Sequence, residues 1–154
     1  MDLARAQRLT VDLMREHNLH LLGWRFRYDR AIRRMGCCRH RRREITLSAP
    51  LVRVQPEDSD SLIRNVALHE IAHALVGHGA GHGAIWRRQA VAIGCDGQRL
   101  CGGVQVEPRR IGFCPSCGFE IRRHRAKRLA CKRCCIRESG GRFDAAFAFV
   151  WRTA

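Results

Sequence analysis

No apolar run in this chain approaches the ~20 residues that carry a helix across a bilayer, and the opening MDLARAQRLT holds charges but no apolar h-region. Neither a membrane span nor a signal peptide is therefore expected. Acidic residues are scarce: fourteen Asp and Glu stand against twenty-nine Lys and Arg, for a formal net charge of +15. An excess this large, clustered and mostly arginine, argues against a merely soluble basic surface and for a polyanionic partner. Arginine is the better bidentate partner for phosphate, so the expected polyanion is nucleic acid. There is a single tyrosine, Tyr28, and no internal repeat. Cysteine is abundant by contrast, nine in all, an odd number with four in two CxxC pairs. These cysteines suit a reducing compartment, where paired CxxC motifs signal metal more often than disulfide. The expected location is cytoplasmic, with access to DNA, and nucleoid-associated if the source is bacterial or phage.

A length of 154 residues with an apolar share of 45% allows one domain with a real core, or a domain of about a hundred residues with a small appendage. Residues 2–17 place Leu3, Ala6, Leu9 or Thr10, and Leu13 at helical spacing, with Asn18 as a stop. LGWRFRYDR alternates, with Trp24, Phe26 and Tyr28 on one face, and reads as a half-buried strand. AIRRMGCCRHRRR reads as a very basic turn, EITLS as a second short strand with Ile45 and Leu47 inward, and Pro50 to Pro56 as a connection. The acidic EDSDS supplies the N-cap of a helix running from Ser61 to Gly77. On that helix Leu62, Val66, His69, His73 and Val76 share one stripe, while Ile63, Ala67, Leu68, Ile71, Ala72, Ala74 and Leu75 cover most of the rest. It is expected to be buried nearly all round. Glycines 77, 79, 81 and 83 end it in a flexible loop, and a helix over 84–93 follows, amphipathic through Ile85, Trp86, Gln89 and Ile93. GCDGQRLCGG is a turn-rich linker, and Pro108 begins a C-terminal module, so the expected division is 1–106 and 107–154.

The stretch HEIAHALVGHGAGHGAIW, residues 69–86, concentrates the chemistry. Histidines four apart on a helix lie one above the other, so His69 and His73 can reach one Zn²⁺ at ~2.0–2.1 Å. Glu70 then sits beside the metal, where it can take a proton from an activated water and pass it to a leaving amine. A pair of ordinary helix histidines is the plainer account, but an apolar helix has little reason to bury two imidazoles and a carboxylate unpaired. For the third ligand, the metzincin pattern HExxHxxGxxH fails, because Val76 and Gly79 stand where it needs glycine and histidine. Glu107 lies in a linker before a proline, and Asp96 in the turn GCDG, where Asp is common for local reasons. His78 follows the helix-ending Gly77 too closely to swing round easily. His82 has enough glycine-rich chain to come back beneath the metal and opens the next helix, so it is favoured over His78.

Farther on, Cys114-Pro-Ser-Cys117 and Cys131-Lys-Arg-Cys134 form two knuckles of a structural zinc signature, with Cys135 competing with Cys134 for the fourth place. So short a tail buries little core, and the metal must supply its folding energy, on the order of 10 kcal/mol or more. Cys37, Cys38, Cys95 and Cys101 read as buried or linker cysteines. Residues 118–137 hold eight Lys or Arg and one acid, Glu120. Arg122, Arg123, Arg125, Lys127 and Arg128 would make a compact positive surface gripping phosphates without reading sequence, with Arg41, Arg42 and Arg43 as a second contact. Phe143, Phe147, Phe149 and Trp151 share one parity and read as a strand packed on the ribbon.

The order of these features resembles the SprT-like family, which includes the Spartan proteases of DNA–protein crosslink repair. The HExxH helix, the glycine-rich loop and Gly81-His82-Gly83-Ala84-Ile85-Trp86, matching that family's GHG-x-x-aromatic motif, carry the likeness. The basic turn with Gly36-Cys37-Cys38, the strand EITLS and the C-terminal cysteine pairs extend it over nearly the whole chain. The resemblance implies zinc held by His69, His73 and His82, with Glu70 catalytic. The loop between His73 and His82 is shorter than in the animal enzymes, and these residues hold no long partner-binding tail like theirs, so those partners are not expected from the resemblance. The expectation is an α+β zincin-like metalloprotease domain followed by a zinc β-ribbon, with one catalytic and one structural Zn²⁺. Its reaction would be hydrolysis of proteins bound or crosslinked to DNA, held without sequence preference. Two rivals are a nucleic-acid-binding zinc protein with a structural HExxH site and a peptidase with no dependence on DNA.

Overall fold

Asp2 opens the first helix, α1 (Leu3–Glu16), by accepting a hydrogen bond from the Arg5 backbone N–H. Asn18, in the left-handed region at φ 58°, lies just past its end. This computed structural model describes residues 1–99 and 106–154, which divide into two units, Met1–Val106 and Glu107–Ala154. Each unit is mixed α+β.

In the first unit, β1 (Arg25–Asp29), β2 (Gly36–Arg39) and β3 (Glu44–Ser48) form a sheet in the order β1-β3-β2, with β3 central. β1 runs parallel to β3, pairing Phe26 with Ile45 and Tyr28 with Leu47, and β2 runs antiparallel. Alternation therefore puts Phe26, Tyr28, Ile45 and Leu47 on one face. Ile45 and Leu47, both 0% exposed, are packed between α1 and the long helix α3 (Asp60–Val76). The opposite face is closed by charge: the Asp29 carboxylate accepts from the Thr46 hydroxyl and Arg39, and pairs with Arg34. Burial alone would raise the Asp29 pKa, but the Ala31 N–H, Thr46 and Arg34 outweigh it and hold it below its ordinary value.

Residues 36–39 depart from the basic turn read in the sequence, because they form the edge strand β2. Gly36 is the cause: a Cβ there would stand 2.6 Å from Glu70 Oε1 and 2.9 Å from Val66 Cγ1. Only glycine lets the strand lie this close to α3, and a glycine followed by cysteines carries no strand signal. The connection expected from Pro50 to Pro56 also holds a short helix, α2 (Ala49–Arg53), capped by Ser48, whose hydroxyl accepts from the Leu51 N–H, with Pro50 in its first turn. Ser59 occupies the N-cap position of α3 without a side-chain bond, and Asp60 in the first turn is held by Arg5 at 2.6 Å. From Val66 to Ala72 every residue of α3 is buried. Helix α4 (Ala84–Ala92) buries Trp86 and Ala90, but Ile85, placed on its inner side from the sequence, is 65% exposed.

In the second unit, β4 (Arg110–Phe113) is the central strand between β5 (Glu120–Arg123) and β6 (Val150–Thr153). The second cysteine knuckle opens a helix, α5 (Lys132–Ser139), rather than a strand. Nor do residues 143–151 form one strand. The Asp144 carboxylate accepts from the Ala146 N–H and starts a 3-10 turn over Ala145–Phe147, so β6 begins only at Val150. Phe143 is left half exposed, while Phe147 and Phe149 pack on the cysteines. No helix among the described residues is long and apolar enough to cross a membrane.

Leu47 fills the space between the central strand and both helices, so Leu47→Ala is expected to lower the unfolding free energy by about 2–5 kcal/mol in a denaturant titration.

Candidate metal centre

α3 turns His69 and His73 to one side, and the chain then reverses through Gly77, Gly79 and Gly81, all at positive φ (84°, 100° and 51°). The reversal brings His82 back over the helix, just before Gly83 caps α4. His82 Nε2 lies 3.0 Å from His69 Nε2 and 3.2 Å from His73 Nε2. Two nitrogens bound tetrahedrally to one zinc at ~2.0–2.1 Å stand about 3.3–3.4 Å apart, so the three imidazoles fit a single ion. Burial, and then His82, push His69 down to about 4, against Asp96 and the Gln98 backbone, which raise it. Burial, then His69 and His82, does the same for His73, and burial and Arg99 lower His82. All three rings are thus neutral at neutral pH, the form in which imidazole ligates a metal.

The rings are held from behind. The indole of Trp86 stands 4.6 Å from His69, 5.2 Å from His73 (nearly parallel, at 25°) and 4.6 Å from His82, centroid to centroid. The His69 ring also bonds to the backbone of Gln98. That backbone is steadied by Asp96, whose carboxylate accepts from the Gln98 N–H and from Asn65 Nδ2, while the Asp96 N–H donates to Asn65 Oδ1. Asp96 is therefore engaged in its own turn and does not join the histidines. Helical spacing suggested burial for Trp86, but not that all three rings would rest on it. Nothing in the sequence near Gln98 pointed to its contact with His69.

Glu70, 8% exposed, lies between α3 and β2. Burial pushes its carboxyl up to about 7, against the Cys38 backbone N–H and then Arg34, which pull it down. A carboxyl poised near neutrality suits proton transfer. Glu70 and the histidines open on a cavity of about 910 Å³, whose lining includes Cys37, Cys38 and His40. Cys37 and Cys38 are thus half-buried on the cavity wall, and the Cys38 thiol meets His40 Nε2 at 3.6 Å. Cys95 is core, and Cys101 lies outside the described residues. His78 is exposed at the rim, its ring 5.6 Å from that of His40 and outside the three-histidine group. Tyr28 is remote from this chemistry: its hydroxyl donates to the Leu3 carbonyl at 2.6 Å.

The second unit gathers Cys114, Cys117, Cys131 and Cys134. Cys114 and Cys134 sulfurs are 3.8 Å apart, and Cys117 and Cys131 sulfurs 3.7 Å. Four thiolates on one zinc at ~2.3 Å are separated by about 3.8 Å, so this set also fits a tetrahedral ion. Cys135 is buried but stands outside the group. The Cys134 backbone N–H, then Cys117, draws the Cys131 thiol below its ordinary value against the effect of burial. Arg122, Arg123, Arg125, Lys127 and Arg128 are all exposed, from β5 into the loop after it, and Arg128 lies over the Phe143 ring at 5.1 Å. Arg41 and Arg42 are exposed in a 3-10 turn after β2, whereas Arg43 donates to the Leu22 carbonyl.

The sequence model of the SprT-like family matches residues 5–108. The chain belongs to the SprT-like family. No curated protein and no solved structure matches it. Membership points to a metalloprotease-like chemistry, and in this SprT-like chain the matched span contains all three histidines and Glu70. The cysteine group lies beyond it.

If the convergence at His82 is a metal site, His82→Ala lowers bound zinc by the share of the histidine site, measured by elemental analysis of the purified chain. His78→Ala leaves the metal content unchanged. Gly36→Ala displaces the Glu70 side chain and is expected to lower the melting temperature while zinc content stays as it was.

Proposed function

We propose that this chain is a zinc-dependent metalloendopeptidase that works on proteins held on DNA. The observation that carries the reading is the meeting of three neutral imidazoles, with His69 and His73 nitrogens within 3.2 Å of His82 Nε2, beside a buried carboxyl in one open cavity. His69, His73 and His82 hold the ion, and Cys114, Cys117, Cys131 and Cys134 hold a second, structural one, so two zinc ions per chain are expected. Zinc at the histidines supplies Lewis acidity and lowers the pKa of water.

The residues themselves do the rest. Glu70 accepts a proton at its carboxylate as water adds to the peptide carbonyl, then returns it to the departing amine. The Cys38 N–H orients that carboxylate, and β2 and Val66 keep bulk water from its far side. Trp86 fixes the planes of the imidazoles.

DNA association rests on different support: the net charge of +15 and the exposed cations Arg122, Arg123, Arg125, Lys127 and Arg128, which have no acidic partner among the described residues. Beside the thiolate cluster they would hold phosphates without reading base edges.

Glu70→Gln is expected to keep both zinc ions and to lower kcat by about 10²–10⁴ on a DNA-bound protein substrate. Full activity in that variant would remove Glu70 from the proton-transfer role. Cleavage indifferent to added DNA would separate the peptidase from DNA. Replacing Arg122, Arg123 and Arg125 by alanine should weaken DNA binding and flatten its salt dependence, by about 0.9 in log–log slope for each phosphate no longer neutralised. Unchanged binding would place the DNA-gripping surface elsewhere.

A further inference from the structure

The cavity around Glu70 is walled with arginine. Arg33, Arg34, Arg39, Arg41, Arg42 and Arg99 line it, and Glu70 is the one carboxylate among the described lining residues. Two of the six are already matched, since Arg34 and Arg39 both reach Asp29 and Arg39 also reaches Glu44. Arg33, Arg41, Arg42 and Arg99 are exposed and have no acidic partner among the described residues. Four uncompensated guanidiniums about one cavity concentrate anions there and repel cations.

Their placement follows the strand. β2 is the edge of its sheet; Arg33 precedes it, and Arg41 and Arg42 follow it. An extended chain lying along the four residues of β2 covers ~13 Å, at ~3.3 Å per residue, and passes a free guanidinium at either end.

We propose that the cleft selects acidic peptide segments, holding Asp or Glu side chains on both sides of the cleaved bond through Arg33, Arg41, Arg42 and Arg99. This inference rests on the metallopeptidase reading and names the substrate class of that site. It also reassigns Arg41 and Arg42, which composition alone placed against phosphate. A nucleic-acid strand is the less suitable occupant. No Phe, Tyr or Trp is among the lining residues, so bases would lack the large aromatic platforms of single-strand binders and meet only imidazoles and guanidiniums. At about 910 Å³ the cavity is of ligand-pocket size, fitted to an extended chain and not to a duplex. Basic peptides are rejected by the same charges that hold acidic ones.

The test uses the zinc-loaded full chain and three quenched fluorescent peptides with one neutral central segment, flanked on both sides by Glu, Gln or Lys. kcat/KM for the Glu-flanked peptide should exceed that for Gln by about tenfold at low salt, with Lys below both and the gap closing at high salt. In Arg41→Glu/Arg42→Glu the preference should collapse or reverse, and Arg33→Glu/Arg99→Glu should repeat the effect from other positions. Equal rates, a preference for Lys, or an acidic preference untouched by both double variants overturns the inference. Should no peptide be cut, the peptidase reading fails, and binding decides the cleft separately. Zinc-loaded Glu70→Gln should then bind the labelled Glu-flanked peptide more tightly than the Gln-flanked one by fluorescence anisotropy. Equal binding overturns the proposal. So does an oligothymidylate that displaces the acidic peptide at lower concentration than unlabelled peptide does, in an Arg41- and Arg42-dependent way, since the cleft is then a nucleic-acid site.

Discussion

The first unit is organised by the need to bury polar side chains inside an otherwise apolar stretch of helix, from Val66 to Val76. From Val66 to Ala72 no position of α3 faces open solvent, yet two of those seven residues are His69 and Glu70. A buried imidazole or carboxyl without a partner is costly, and the surrounding structure supplies partners one by one. The edge strand comes in at Gly36 closely enough for the Cys38 N–H to reach Glu70. Asn65 and Asp96 clasp the segment whose backbone meets His69. Trp86 gives the imidazoles an apolar surface on one side, leaving the nitrogens to converge on the other. Remove the burial of α3 and none of these arrangements has a reason to exist.

That logic separates what could be read in the sequence from what could not. Helical periodicity located α3 and its histidine stripe because four-residue spacing translates directly into one face. Alternation located β1 and β3, since Phe26, Tyr28, Ile45 and Leu47 mark the pleat themselves. β2 was hidden, because its strand character lies in α3: the pairing is permitted by the absence of a side chain at Gly36, and absence carries no periodicity. The 3-10 turn at Ala145 interrupted a plausible alternation because one local Asp144 bond outcompetes a strand whose aromatics alternate only by parity. The helix at the second cysteine knuckle was equally hidden, since CxxC spacing is compatible with either element.

The arginines show the same distinction at the level of charge. Composition reports an excess but not its address. Arg34 and Arg39 support the back of the sheet through Asp29, Arg43 ties down the Leu22 turn, and Arg41 and Arg42 stand over the cavity. Neighbours in one basic run thus serve three separate structural ends.

The second unit has a consequence in time. Its central strand β4 is completed on one side by β6, and Phe147 and Phe149 cover the cysteines from the same late segment. On a ribosome, the four thiols have all emerged some twenty residues before the last of β6. For that interval they are made but uncovered, open to any thiophilic ion or oxidant present. The histidine cluster, drawn from positions 69–82 and backed by α4, needs nothing from this late segment. The two candidate metal groups are therefore completed at different stages of the chain's synthesis, under different exposure.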